Sequence, residues 1–244
     1  MSSLGKKLRR LWKSVFERPP LATTAENYDE YWEERKPVTL EKVGRCRRRR
    51  LAVIGQWIPP DSTILDVGCG DGITMQYLAQ HASPKSLLGM DLSPKAVEFV
   101  RGLGLTAICG DLRDEEVRQK LGVHDHVIAT EVVEHVAEAE ALLRLLAGMA
   151  RRSLVVSVPN TGYLTHRLRL LFGRFPVQWR IFPGEHVRFW TLSDFRWTVR
   201  SLGLRILRSV GYDGLPGRRV WPSLLASGIV FEIQGTASEP GQPA

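Results

Sequence analysis

Cysteine is scarce in this chain: Cys46, Cys69 and Cys109 are the only three in 244 residues. They are odd in number, far apart and without metal-ligand spacing. The sequence therefore carries no disulfide framework, and a reducing, cytoplasmic setting is expected. Long apolar runs are missing as well, none approaching the ~18–20 residues that a spanning helix needs. The basic N-terminus lacks an extended apolar core with a small-residue cleavage site, so a secretory signal is not expected. An excess of basic over acidic residues is missing from the middle of the chain. Residues 1–50 carry 14 basic and 7 acidic side chains, residues 51–160 carry 9 and 14, and residues 161–220 carry 11 and 3. The net charge of +8 thus sits on two basic flanks around an acidic centre. Such flanks suit an anionic membrane, a phosphorylated substrate or an acidic partner, and serve equally as a solubilising surface.

What is present suffices for one sizeable core. Hydrophobic residues make up 43% of the chain, and its length favours a single domain with extensions. The first stretch, "SLGKKLRRLWKSVF", sets Leu4, Leu8, Leu11, Trp12 and Val15 along one helical stripe, with Lys6, Lys7, Arg9, Arg10 and Lys13 mostly elsewhere. This basic amphipathic helix either rests on an anionic membrane through residues 4–16, as a peripheral contact, or caps the domain. "ENYDEYWEERKP" reads as helical, and a further helix is expected from about Thr39 to Trp57. Its "RCRRRR" run reads as a solvated face, with no recognition motif that would support nucleic acid. The expected division is a helical N-terminal extension over 1–50, a domain over 51–235 with an insert at about 160–191, and a disordered tail over 236–244.

From residue 63 a strand–helix alternation begins. "TILDV", "SLLGMD", "TAICGD", "DHVIATE" and "SLVVSVP" read as strands, and "ITMQYLAQH", "SPKAVEFVRGLG" and residues 132–150 as helices. Ser93 is the expected N-cap of the second of these, with Pro94 at its first position. After a basic, aromatic insert come a helix, "LSDFRWTVRSLG", and two last strands, "LRILRSVGY" and "SGIVFEI". This is an α/β pattern with a mostly parallel sheet covered on both faces.

The loop "LDVGCGDG" joins the first strand to its helix. Gly68, Gly70 and Gly72 let the backbone turn tightly and approach a ligand. Their spacing is G-x-G-x-G, not the G-x-G-x-x-G of a pyrophosphate loop, and Asp66 and Asp71 make a poor phosphate cradle. Two carboxylates suit a cationic ligand such as S-adenosylmethionine, which carries a sulfonium and an ammonium. Asp91, at the end of the second strand, can accept ribose hydroxyls, and Asp111, at the end of the third, can meet an adenine amino group. As isolated residues each is also a plain cap or turn aspartate.

"ILDVGCGDG", "GMDLS", "CGDL" and "EVVEHV" together resemble the successive motifs of class I S-adenosylmethionine-dependent methyltransferases. That resemblance implies a Rossmann-like, seven-stranded sheet ending in a hairpin with one antiparallel strand. It also implies that Asp66, Gly68, Cys69, Gly70 and Gly72 hold the methionine part of S-adenosyl-L-methionine. Asp91 would hold the ribose, with Leu92 beside it in the cofactor site, Asp111 and Leu112 would flank the adenine, and Glu131 would lie beside the methyl donor. Tyr28, or Trp32 near it, would pack on the cofactor. Over about residues 50–233, "VPN" and "VWPSLL" are similar to the MetW methionine-biosynthesis family, which is associated with homoserine O-acyltransferase. The basic extension, the E-x-x-E-H group and "GEHVRFWT" depart from that pattern and favour a working methyltransferase over a bare acyltransferase partner.

"ATEVVEHVAE" places Glu131, Glu134 and His135 at i, i+3 and i+4, one face of a helix if the segment is helical. His135, His186 and Glu134 are the catalytic candidates, since methyl transfer to a hydroxyl needs a proton removed. "EVVEHV" also resembles the segment of ubiquinone-biosynthesis O-methyltransferases that can bind a divalent cation. The same resemblance gives Glu131, Glu134 and His135 as ligands for an ion such as Mg²⁺. The insert's Arg167, Arg169, Arg174, Arg180 and Arg188 either receive an anionic small-molecule acceptor or are solvated. No N-P-P-Y or D-P-P-Y follows the fourth strand, which counts against amino-group methylation of nucleobases. The expectation is O-methylation of a small molecule, with an accessory role beside an acyltransferase as the alternative.

Overall fold

A computed structural model describes residues 3–17, 32, 38–178 and 186–237. The helices are α1 (Ser3–Phe16), α2 (Arg45–Gly55), α3 (Ile73–His81), α4 (Pro94–Gly102), α5 (Glu115–Leu121), α6 (Ala139–Gly148), α7 (Leu164–Leu171), α8 (Leu192–Ser201) and α9 (Pro222–Leu225). The strands are β1 (Thr63–Val67), β2 (Ser86–Asp91), β3 (Thr106–Cys109), β4 (His124–Thr130), β5 (Ala150–Pro159), β6 (Ile206–Gly214) and β7 (Ala226–Gln234). They form one seven-stranded sheet in the order β3-β2-β1-β4-β5-β7-β6. The first five are parallel, and β7 runs antiparallel between β5 and β6. The fold is the expected Rossmann-like one. The strand order reverses at β1 and β4, so the crevice beyond their carboxyl ends is the natural ligand site.

Strand alternation divides the core between the two faces of the sheet. Leu65, Val127, Leu154 and Phe231 belong to the apolar layer that also holds Leu143 and Leu146 of α6 and Phe195 of α8. Ile64, Ile128, Val155 and Val230 belong to the opposite layer, with Ile54 of α2 and Leu78 of α3. The central strands are buried on both faces, which is why they read as continuous Val/Ile/Leu runs.

Caps fix several helices. Ser93 Oγ accepts from Ala96 N at the start of α4, with Pro94 at the first turn. Thr191 and Asp194 form a capping box on α8. The sequence reading misses α5, whose seven residues offer only Val117 and Leu121 as an apolar face; Asp114 caps it by accepting from Glu116 N.

Two boundaries differ from expectation. α2 starts at Arg45, after a turn in which Lys42 N donates to Thr39 O, and it runs across position 50. The helix expected from residue 132 is absent there. Glu131 adopts a left-handed φ of 56°, a short 3₁₀ turn covers Val133–His135, and α6 begins only at Ala139. The E-x-x-E-H residues are therefore gathered by a turn, and the i, i+3, i+4 argument does not describe them. Tyr28, Arg180 and the tail from 238 lie outside the described residues. Among the described residues no helix is long and apolar enough to cross a membrane.

Candidate cofactor and acceptor site

The carboxyl ends of β1, β2 and β4 open into a cavity of about 1010 Å³. One wall is the loop after β1. Gly68 and Gly70 have φ of 65° and 53°, the left-handed region where a side chain is strained. A Cβ on Gly68 would stand 2.6 Å from Val132, and one on Gly70 would stand 2.5 Å from Trp32. The backbone of this loop is thus exposed to the cavity at points where no side chain fits.

Asp91 anchors the loop. Its two carboxylate oxygens accept from Gly70 N at 2.9 Å and Ser93 N at 3.0 Å. A carboxylate offers about four lone-pair sites, so two backbone bonds can orient it while it accepts hydroxyls from a ligand. Asp91 lines the cavity together with Cys69, Leu92, Asp111 and Leu112. Asp111 is bound at its own end, accepting from the Arg113 backbone N at 2.8 Å and from its guanidinium; these bonds hold its carboxyl below the usual range.

Asp66 and Asp71 are not the equivalent pair that the sequence reading describes. Arg47 binds Asp71 through both guanidinium nitrogens, at 2.7 and 2.5 Å, so that charge is already compensated. Asp66 is 1% exposed, lies behind the lining of the cavity, and has no hydrogen-bond partner for either oxygen among the described residues. Burial pushes its carboxyl up to about 8, against a smaller opposing pull from Arg47. Gly72 likewise stands behind the wall, as the left-handed N-cap of α3.

Trp32 closes the first wall. It is buried, lines the cavity, and meets the Phe99 ring edge-on at 6.4 Å. Of the two aromatic residues expected to pack near the cofactor, this is the one within the described residues.

The second wall is built around Glu131. Its Oε1 accepts from Ser157 Oγ at 2.8 Å and Tyr212 Oη at 3.2 Å, and pairs with Arg50 Nη1 at 3.0 Å. Burial alone would raise this carboxyl, but Arg50, Ser157, His186 and Tyr212 bring it below the ordinary value. Glu134, next along the turn, is fully buried, and its two carboxylate oxygens have no partner among the described residues. Burial and the Glu131 charge hold its carboxyl far above the usual range.

The insert reaches this wall through its backbone. Val187 N and Arg188 N donate to Glu134 O at 2.9 and 3.1 Å, which brings the His186 ring to 4.7 Å from that of His135, edge to face. Ligand atoms of Glu134, His135 and His186 all lie within 4.8 Å of one another. Glu131 does not join them, because Arg50, Ser157 and Tyr212 already engage its carboxylate. The cation ligand set expected from the sequence is corrected to that extent.

The arginines also change role. Arg167 donates to Gly162 O at 2.6 Å, Arg169 to four backbone carbonyls, and Arg188 to Ala137 O and Glu140. The positive charge lining the cavity comes instead from Arg47, Arg50, Arg113 and Arg118. Arg47 and Arg50 belong to the run that reads as solvated. Carrying the buried face of Leu51 and Ile54 back by one helical turn reaches both, a signal the periodicity holds.

Comparison with known proteins agrees with this architecture. The sequence profile of the family described as methionine biosynthesis protein MetW matches residues 48–233. A malonyl-[acyl-carrier protein] O-methyltransferase of Herminiimonas arsenicoxydans is 33% identical over 137 residues, covering 54% of this chain and 51% of that protein. The chain thus spans about half the length of that relative. A ubiquinone biosynthesis O-methyltransferase of Bordetella parapertussis is 31% identical over 183 residues, 71% of this chain and 74% of its own. The crystal structure of magnesium protoporphyrin IX methyltransferase from Synechocystis with bound SAH superposes with a TM-score of 0.58, covering 96% of this chain and 95% of that one at 20% identity. The chain belongs to the MetW family, within the class I S-adenosylmethionine-dependent methyltransferases.

Proposed function

We propose that this protein transfers the methyl group of S-adenosylmethionine to a hydroxyl of a small-molecule acceptor. The observation that carries the reading is the cavity itself, which has a bare glycine backbone and Asp91 on one wall and His135 and His186 on the other. The bound cofactor supplies an electrophilic methyl carbon. Asp91 accepts the ribose hydroxyls, Asp111 and Leu112 flank the adenine, and Asp66 favours the cationic methionine end when it is ionised. Trp32 and the turn after β4 exclude water from the site. A ring nitrogen of His186 or His135 takes the acceptor's hydroxyl proton, the step for which a base is needed once donor and acceptor are aligned.

Calorimetry with S-adenosylmethionine tests the shared premise, and absence of binding would end this reading. Labelled cofactor incubated with a small-molecule cell extract then reads transfer; a methyl ether product identifies a hydroxyl acceptor, and an alkali-labile methyl ester would identify a carboxylate and overturn the hydroxyl reading.

The cluster of Glu134, His135 and His186 also offers oxygen and imidazole ligands of the kind that suit Mg²⁺, Mn²⁺ or Zn²⁺. A cation there would lower the pKa of a bound hydroxyl, and Glu134 would ligate it as the carboxylate. Activity that survives EDTA dialysis undiminished would leave the histidines as the base and remove the metal.

A second reading rests on the family match. In it the chain is an accessory partner of a homoserine O-acyltransferase, and the exposed Val220 and Trp221 of the "VWPSLL" segment are its contact. Copurification with such an acyltransferase, together with failure to transfer methyl groups, would favour it.

A further inference from the structure

We infer that α1 and α7 together form a docking surface for an anionic membrane. This goes beyond methyl transfer and does not depend on it. The two helices are held as one unit by an arginine clamp. Arg169, 5% exposed, donates through Nη1 to Ser14 O, Val15 O and Glu17 O at 3.0–3.1 Å, and through Nε to Phe175 O at 2.9 Å. Arg174 donates to Phe16 O at 2.7 Å. The last carbonyls of α1, which no intrahelical partner can satisfy, are thus bound by α7 and the segment after it.

That arrangement turns apolar side chains outward. Trp12 stacks on Phe16 at 4.1 Å, and Phe16 meets Phe172 at 5.0 Å. Trp12 is 66% exposed, Leu171 75% and Phe175 60%, and Phe175 meets Phe189, itself 41% exposed, edge to face at 5.6 Å. Scattered surface apolar residues need no explanation, but two sets of aromatic rings in contact, one joining α1 to the end of α7 and one pairing Phe175 with Phe189, do.

The charge of the segment selects the occupant. α1 carries Lys6, Lys7, Arg9, Arg10 and Lys13 and no acid. Cationic side chains beside Trp, Phe and Leu are the composition of a helix lying in the plane of an anionic interface. The cavity is lined by Val177, Gln178 and His186 from the same insert, so docking would bring its rim close to the bilayer.

The test is sedimentation of the full chain with vesicles, without cofactor or acceptor. The protein is expected to pellet with phosphatidylcholine vesicles containing a quarter phosphatidylglycerol and to stay in solution with pure phosphatidylcholine. It is expected to be released by 1 M salt, where the screening length falls to about 3 Å. The double variant Leu171→Glu/Phe175→Ser changes only exposed positions, and its vesicle binding is expected to weaken about tenfold or more at an unchanged melting temperature. No pelleting with anionic vesicles, or undiminished pelleting of the variant, would overturn the proposal. So would wild-type self-association abolished by the variant with no vesicle binding, since that would assign the strip to contact between copies.

Discussion

The two walls of the cavity are built in different ways. Apart from Trp32, which closes it, the cofactor wall comes from one stretch, residues 66–112, and its anchoring bond joins Gly70 to Asp91, 21 positions apart. The acceptor wall draws on residues 50, 131–135, 157, 186 and 212, and its central bonds join residues up to 81 apart. A site made by successive strand ends is written as a local pattern. A site made by convergence depends on how the whole sheet closes.

Substitutions can break that division or sharpen it. The largest effect is expected from His186→Ala combined with His135→Ala, which should slow labelled-methyl transfer by about 10²–10⁴-fold, the usual contribution of a positioned base. Cofactor affinity by calorimetry should be unchanged, and a parallel loss of affinity would mean that the walls do not act separately. Next, Asp91→Ala removes the loop anchor and the ribose acceptor together. Affinity for S-adenosylmethionine should fall about a hundredfold or more, since bonds to charged groups contribute about 1.5–3 kcal/mol each. Undiminished binding would remove Asp91 from the cofactor wall.

A stability effect comes third. Glu131→Gln leaves Arg50 without its ion-pair partner and should destabilise the fold by about 3 kcal/mol, read by urea unfolding. A change below about 0.5 kcal/mol would show that Glu131 does not hold the acceptor wall together. The pH dependence of Asp66 is a further test of stability. Its folded value of about 8 lies above the ordinary 3.8, so the folded state binds the proton more tightly than the unfolded one. The group therefore costs stability progressively as pH rises from about 4 to 8. Asp66→Asn should melt with the wild type near pH 4 and above it at pH 9. Relative to the variant, wild-type cofactor affinity should rise between pH 7 and 9 as the carboxylate forms, the loss of the cofactor's own ammonium proton being common to both. Coincident melting curves at pH 9 would mean that Asp66 ionises near its ordinary value.

The same division explains what the sequence discloses. The strands are legible because most are short apolar runs, often β-branched, between turns, and the glycine loop with its three strand-end aspartates is a local spacing. Asp71 misleads because its partner Arg47 lies 24 residues away in a run that composition alone assigns to solvent. The turn at Glu131 is hidden for another reason. "EVVEHVAE" has helical spacing, and nothing local announces a left-handed glutamate. The hydrogen bonds to Ser157 on β5 hold it there, and they overcome a backbone cost of about 1–3 kcal/mol. Arg50 and Tyr212 are likewise invisible as site residues until α2 and β6 are seen to meet the end of β4.

One carboxylate oxygen, Glu131 Oε1, ties together α2, β5 and β6. During synthesis the glycine loop and β1–β4 leave the ribosome well before β6. The acceptor wall is therefore the last part of the molecule to be assembled, because it waits for Tyr212 and for β7 to slot between β5 and β6. A nascent or C-terminally clipped chain would present the glycine loop without the wall opposite it.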